Sequence, residues 1–294
     1  PMHSPLQSPL QPVMRSPLEF RRRGGGSFDI ASTNPSAYYD RTNLATLFQA
    51  WTGVVPVTSA AQTIGLGLDL SQGATVGADA LSHPLSGPQN GGWSLSGETI
   101  VRSGAGGNSS IDFSAPQDVN SIYLVEFDVS GFSGDSFSIQ TPQGSVGAIS
   151  ANGHYEFRIR AIDDTRMQFI PWAGTAATAV ISNISAKVIA GNHQLQATAG
   201  KRPIADGSPI YANFDAVDDD LVAVFPASLG AGCTVCRSLP GTGASITTGV
   251  TLTATYTDNV DAHALLIYTA AQWAALDAGQ IAKITTWLDG RAGL

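Results

Sequence analysis

The sequence predicts an all-β protein that begins with an extended arm and ends with a helix. Charged residues make up only 13% of the 294 positions, and glycine occurs 32 times. Between residues 93 and 191, short runs of alternating apolar and polar residues are separated by turn residues at a spacing of roughly eight to twelve positions. Such spacing is typical of β-sandwiches and jelly rolls.

Residues 1–26 predict an extended arm, because three Ser-Pro-Leu repeats precede three arginines and three glycines. Proline lacks a backbone donor and favours extended geometry in the preceding residue. The alternatives are a disordered tail or, in part, a vector remnant. Regularly recurring leucines favour binding to a partner protein. The residues expected to contact that partner are Leu6, Leu10, Leu18, Arg21, Arg22 and Arg23.

Residues 27–80 predict a short helical turn followed by short strands. The turn covers residues 43–49, with Thr42 or Asn43 as its cap. Strands are expected in VVPVT (54–58) and IGLGLDL (64–70).

Residues 81–191 alternate most clearly, and the segment HYEFRIRA (154–161) is an example. A period of two places Tyr155, Phe157 and Ile159 on one face of a strand. The opposite face then carries Glu156, Arg158 and Arg160.

Residues 192–294 continue with strands and close with a helix. Asp277 precedes Gln280 by three positions, which is the spacing of a capping box, and Gly290 is placed to end the helix. The apolar face of this helix consists of Ile281, Ile284 and Leu288.

Cys233 and Cys236 form the motif C-T-V-C inside a β-branched segment. A redox pair would need a helix N-terminus, and a zinc site would need a second pair of ligands. Residues three apart on a strand face opposite sides. The sequence therefore predicts two buried structural cysteines.

The net charge of −8 is unevenly distributed, because residues 1–26 carry +3 and the rest carries −11. An acidic body is unfavourable for nucleic-acid binding. The basic arm alone could contact phosphates, but an acidic protein surface is its expected partner, and we expect no nucleic acid. No apolar run approaches the roughly 18 residues of a membrane span, and no secretory signal is recognised. We expect no membrane insertion and no cofactor.

Several segments resemble tail-associated structural proteins of tailed bacteriophages and prophages. The segments are YYDRTNLATLFQ (38–49), TGVVPVTSAAQTIGLGLDLSQG (52–73), GNHQLQATAGKRPI (191–204), YANFDAVDDDLVAVFPASLG (211–230) and QIAKITTWLDGRAG (280–293). The first motif departs from the pattern of those proteins, because Arg41 and its neighbours replace a Pro-Ser variant.

The resemblance implies two β-sandwich domains, one inserted in the other. Residues 27–80 and 192–294 are similar to a discontinuous concanavalin A/laminin-G type sandwich. Residues 81–191 resemble a galactose-binding-like jelly roll of the carbohydrate-binding-module type.

The resemblance also implies a non-enzymatic virion protein at the tail tip, baseplate or fibre, or on the capsid. The arm would bind other virion proteins, the chain would form a homotrimer, and the body would contact host-surface glycans. The alternatives are a carbohydrate-binding receptor-recognition protein and, with less support, a polysaccharide depolymerase. Catalysis finds little support, since glutamate occurs only four times and neither a Gly-x-Ser-x-Gly nor a His-Glu-x-x-His motif is present.

Four residues are candidates for sugar binding through aromatic stacking and polar contacts. They are Trp93, Tyr155, Arg160 and Trp172. Trp93 and Tyr155 also fit the pattern of core packing residues, whereas Trp172 lies beside a turn.

The densest carboxylate cluster predicts a turn between two strands, with calcium binding as the alternative. It consists of Asp215, Asp218, Asp219 and Asp220. Ala216 stands where glycine is commonest in similar turns of laminin-G-like sandwiches.

Overall fold

The computed structural model describes residues 28–81, 85, 92–104, 111–113, 121–141, 144–160, 167–171 and 176–294. Within these ranges the chain is mostly β, and the predicted all-β class is confirmed. The first strands are β1 (Ala37–Asp40), β2 (Leu47–Phe48), β3 (Leu66–Gly67) and β4 (Val76–Asp79). The middle strands are β5 (Trp93–Ser96), β6 (Thr99–Ser103), β7 (Ile111–Phe113), β8 (Ile122–Gly134), β9 (Phe137–Thr141), β10 (Gly144–Ile149), β11 (Gly153–Arg160), β12 (Met167–Pro171) and β13 (Ala177–Ile189).

The last third of the chain carries the remaining strands and two helices. These are β14 (Gln194–Leu195), β15 (Ile204–Asp206), β16 (Tyr211–Asn213), β17 (Leu221–Val224), β18 (Gly230–Leu239), β19 (Gly243–Leu252), β20 (Thr255–Asp258), β21 (Ala264–Tyr268), α1 (Ala270–Ala274) and α2 (Ala278–Arg291). Short 3-10 helices cover Ile30–Thr33, Leu44–Thr46 and Ala199–Lys201.

Two antiparallel sheets form a first unit from the two ends of the chain. Their strand orders are β1-β21-β18-β19 and β2-β3-β14-β17-β20. The sheets share a core in which Tyr39 and Ile267 of one sheet lie with Ala223 and Tyr256 of the other. Early and late segments therefore fold together.

Two further sheets form a second unit, with the orders β10-β9-β12-β7 and β11-β8-β13-β6-β5. Phe127 and Ile181 of the longer sheet share a core with Phe137 and Phe169 of the shorter one. Strand β4 pairs with β13 of this unit and not with the strands that precede it. The exact domain boundaries stay a prediction.

Arg158 of β11 in the second unit contacts residues of the first unit. Its backbone N–H donates to Thr52 O (2.9 Å) and its guanidinium donates to Gly53 O (3.0 Å). The guanidinium also lies 4.5 Å from the centroid of the Phe48 ring. Gly53 has φ of +59°, and a Cβ there would come within 2.5 Å of Arg158 Cβ. Only glycine therefore allows this close approach.

The C-terminal helix begins as predicted. Asp277 and Gln280 form a complete capping box, and Ile284 and Leu288 are fully buried. The predicted end at Gly290 is wrong, because the helix continues to Arg291 and the left-handed φ of +79° falls at Gly293. Glycine inside a helix is tolerated when tertiary contacts hold the last turn. No helix in the described ranges has the length and apolar character of a membrane span.

The predicted helix over residues 43–49 is also wrong beyond its first turn. Leu44–Thr46 form a 3-10 helix, and Leu47–Phe48 then pair with Leu66–Gly67 as a strand. Buried strand pairing here overrides the local helical preference.

Candidate functional site

The two chain crossings between the units are held together by the buried carboxylate of Asp69. It accepts hydrogen bonds from the backbone N–H groups of Tyr38 (2.8 Å), Ser71 (2.8 Å) and Asn192 (2.7 Å). A fourth comes from the Ser71 hydroxyl (2.9 Å). Desolvation raises the pKa of Asp69, although these four donors act in the opposite direction. The carboxylate therefore serves as a structural link at the junction.

Gly191 and His193 complete the junction. Gly191 has φ of +130°, and a Cβ there would lie 3.0 Å from Asp69 Cβ. His193 Nδ1 accepts the backbone N–H of Asp69 (3.0 Å), so Nε2 carries the proton and donates to Ile189 O (3.0 Å). Burial lowers the pKa of His193 to about 4, which keeps the ring neutral.

A pocket of about 430 Å³ opens beside this junction. Its wall comes from residues before β1, after β3, before β14, between β17 and β18, and in α1. Seven of the twelve lining residues carry an amide or a hydroxyl group, the other five are apolar, and none of the twelve is ionisable. The seven amide and hydroxyl residues of the wall are Asn34, Ser36, Ser71, Gln72, Asn192, Ser228 and Gln272.

Ser36 fixes two amide side chains of the pocket wall. Its hydroxyl donates to Gln272 Oε1 (2.6 Å), and its carbonyl accepts from Asn192 Nδ2 (3.0 Å). Gln272 Oε1 also accepts the backbone N–H of Thr269 (2.8 Å) in the capping box of α1. Within the described part of the chain, no hydrogen bond engages Asn192 Oδ1 or Gln272 Nε2. Asn192 thus retains an acceptor and Gln272 a donor, each on a side chain that other hydrogen bonds hold in place.

The chemistry of this pocket suits an uncharged, hydrogen-bonding ligand. Amides and hydroxyls both donate and accept hydrogen bonds, as the hydroxyl groups of a sugar require. Because none of the lining side chains is ionisable, the wall offers a ligand neither a general acid or base nor a carboxylate for a metal. With seven polar residues among twelve, the wall is more polar than that of most small-molecule sites, which suits a ligand rich in hydroxyl groups.

No family model, curated protein or solved structure matches this chain. The geometry of the described residues therefore carries the functional argument.

Trp93 and Tyr155, two of the residues predicted to bind sugar, do not lie at one site. Trp93 is 3% exposed and packs edge-on against Phe137, so neither face of the ring is open for stacking. Tyr155 is half-buried and stacks on Phe127 at 5.4 Å. Trp93 and Tyr155 lie in strands at opposite edges of one sheet. Arg160, the polar candidate, is partly buried, and burial lowers its pKa.

The aspartate run forms the predicted turn. Asp215 Oδ1 accepts the backbone N–H groups two, three and four residues further on, at 2.8, 3.1 and 3.2 Å. Ala216 adopts φ of +60° at the position where glycine was expected. Asp215, Asp218 and Asp219 bring ligand atoms within 4.8 Å of one another, whereas Asp220 instead accepts a hydrogen bond from Gln196. Calcium binding here stays a prediction.

The two cysteines are buried and unpaired, as predicted. Cys233 belongs to the core between the sheets of the first unit, and Cys236 to the cluster on the other face of its sheet. Burial raises the pKa of the Cys236 thiol to about 12. Trp172 and the predicted anchoring residues lie outside the described ranges: Leu6, Leu10, Leu18, Arg21, Arg22 and Arg23.

Sequence reasoning missed the pocket because its parts are far apart in the chain. Ser36 is separated by 156 positions from Asn192 and by 236 from Gln272. The one local signal is the spacing of Thr269 and Gln272, which predicts a capping box but not a pocket.

Proposed function

We propose that the chain is a non-enzymatic structural protein of a tailed phage virion that contacts host-surface glycans. It would lie at the tail tip, baseplate or fibre, or decorate the capsid, and assemble as a homotrimer. The observation that carries the proposal is the uncharged pocket with its two fixed amides. The resemblance to phage tail proteins supplies the virion setting.

The N-terminal arm supports anchoring to another virion protein. It carries +3 against −11 on the remaining residues, so an acidic socket on a neighbour would attract the arm while the body stays outside. Prolines reduce the conformational entropy that an extended segment loses when it becomes ordered.

The contact between the two units supports display of a rigid body. Arg158 contacts the first unit through its backbone N–H, through its guanidinium and through the ring of Phe48. Trp51 packs against the hydrophobic cores of both units. A body held in this way presents the pocket in a constant orientation, which lowers the entropy cost of binding.

Removal of residues 1–26 is expected to abolish incorporation into virus particles while the body remains folded. The arm is the proposed attachment, and the described folded units begin after it. The measurement is the amount of protein in purified particles, with circular dichroism of the truncated chain as the control for folding. Normal copy number without the arm would exclude the anchoring role.

The pocket favours a second candidate function, a receptor-recognition protein whose main task is carbohydrate binding. We expect Gln272→Glu to weaken glycan binding by roughly tenfold or more, because a lost hydrogen bond to a binding group costs about 1–3 kcal/mol. Glutamate keeps the Oε1 acceptor of the capping box and removes the Nε2 donor. The measurement is a glycan array followed by titration of the bound sugar.

Gln280→Glu is the matched control, since it makes the same change in the capping box of α2, outside the pocket. It should bind glycan as the unaltered protein does. Absence of any glycan ligand, or equal binding by Gln272→Glu, would contradict a sugar site in this pocket. The arm deletion separates the two candidates, because it affects assembly and leaves the pocket intact.

A further inference from the structure

We propose that the longer sheet of the second unit binds a divalent transition-metal ion through Glu126, His154 and Glu156. One ligand atom from each of these side chains lies within 4.8 Å of the other two. The inference is independent of the proposed function, because none of these three residues lines the pocket.

The strand register brings the three side chains together. His154 and Glu156 are two positions apart in β11, so they point to the same face of the sheet. The antiparallel pairing with β8 places Glu126 opposite Glu156 and Asp128 opposite His154. Directly opposite residues have Cβ atoms about 4.5–5.5 Å apart. Paired backbone therefore fixes the separation of the ligands.

Asp128 orients the imidazole as the neighbour of a metal-binding histidine does. Its Oδ1 lies 2.8 Å from His154 Nδ1, and its Oδ2 accepts a hydrogen bond from Asn183 Nδ2 (2.7 Å). A carboxylate oxygen accepts hydrogen bonds, so Nδ1 carries the ring proton and is the donor to Asp128. Nε2 then carries the free lone pair. Metal-binding histidines usually donate their other ring N–H to such a carboxylate.

The carboxylates retain oxygens for a cation. Glu126 and Glu156 are like charges in a directly opposed pair, which is unfavourable without compensation. Lys187 Nζ lies 2.7 Å from Glu126 Oε2, and Arg158 donates to Glu156 Oε1. Each ion pair engages one oxygen of its carboxylate, and among the described residues no hydrogen bond or ion pair engages the other oxygen. The formal charge of this group is −1, summed over Glu126, Glu156, Asp128, Lys187 and Arg158. A negative net charge attracts a divalent cation.

The donor set selects the class of metal. One imidazole nitrogen and two carboxylate oxygens are ligands that Zn²⁺ accepts, with a fourth position left for water. Calcium would need six to eight oxygens, more than these residues supply. Zinc is therefore the probe of choice.

The test is isothermal titration of the full chain with Zn²⁺ after treatment with a chelator. We expect one equivalent to bind, His154→Ala to abolish that binding, and Asp128→Asn to weaken it about tenfold or more. His154 and Asp128 have side chains 58% and 42% exposed, so both variants should fold, which circular dichroism checks.

Two variants serve as controls. His83→Ala makes the same chemical change at a histidine outside the described ranges. Asp218→Asn alters the carboxylate cluster that lacks histidine. Both should bind zinc as the unaltered chain does. The proposal is overturned if the chain binds no zinc, or if His154→Ala binds it with unchanged affinity.

Discussion

Replacing Arg41 by methionine is expected to lower the free energy of unfolding by about 3–5 kcal/mol. Arg41 and Asp258 form an ion pair in which the two side chains are 1% and 0% exposed. Arg41 also donates to Gln194 Oε1 (3.1 Å) and to Ala262 O (3.3 Å). Without the guanidinium, the nearest cation to Asp258 among the described residues is Arg237 at 3.5 Å. A buried, poorly compensated charge is the source of the large effect.

The measurement is equilibrium denaturation in urea. Arg41→Met/Asp258→Leu should be more stable than Arg41→Met alone, because no carboxylate is then left unpaired. Lys201→Met is the control, since Lys201 and Asp218 are each 46% exposed and lie 4.0 Å apart. That change should cost less than about 1 kcal/mol. Equal losses at Arg41 and Lys201 would contradict a structural role for the buried pair.

Lowering the pH is expected to destabilise the fold through His193. Its pKa is about 4 in the folded protein, against 6.5 for an unperturbed histidine. Between these values the unfolded chain binds a proton that the folded protein excludes. The stabilising contribution is therefore complete above about pH 6.5 and is lost as the pH falls towards 4. The difference in pKa corresponds to about 3 kcal/mol in total.

The test compares the pH dependence of unfolding in the unaltered protein and in His193→Gln. The difference between the two curves isolates His193. This comparison is needed because the raised pKa of Asp69 acts in the opposite direction, letting the folded state take up a proton earlier as the pH falls. The curve of the variant should be flatter between pH 6.5 and 4. Parallel curves would show that the histidine does not contribute to the acid sensitivity.

Features with a local cause could be predicted from the sequence. Alternation with a period of two identified the all-β class, since it reflects the two faces of each strand. The capping box of Asp277 and Gln280 predicted where the last helix begins, because both of its residues lie within four positions of each other. The opposite orientation of Cys233 and Cys236 followed from the same strand geometry.

Features with a distant cause could not be predicted. Arg41 is followed by polar residues that resemble a surface turn, and its partner Asp258 lies 217 positions away. Leu47–Phe48 became a strand because Leu66–Gly67 was available to pair with it. The wall of the pocket likewise exists only after five segments have met. The cross-strand metal ligands come together only because of the register between β8 and β11, and this register could not be predicted from the sequence.

The junction at Asp69 determines how the segment between the two chain crossings could be replaced in evolution. Thr75 and Ala190 are joined by a backbone hydrogen bond of 2.9 Å, so the segment between them starts and finishes at neighbouring points. Insertions with adjacent ends disturb a host fold least. We therefore expect the intervening segment to be replaceable only where the replacement again covers Phe48 and Trp51 and supplies the apolar contacts that Ile122, Leu124 and Ile189 make with the core of the first unit. Such a replacement would change the sheets of the second unit while the strands of the first unit keep their pairing.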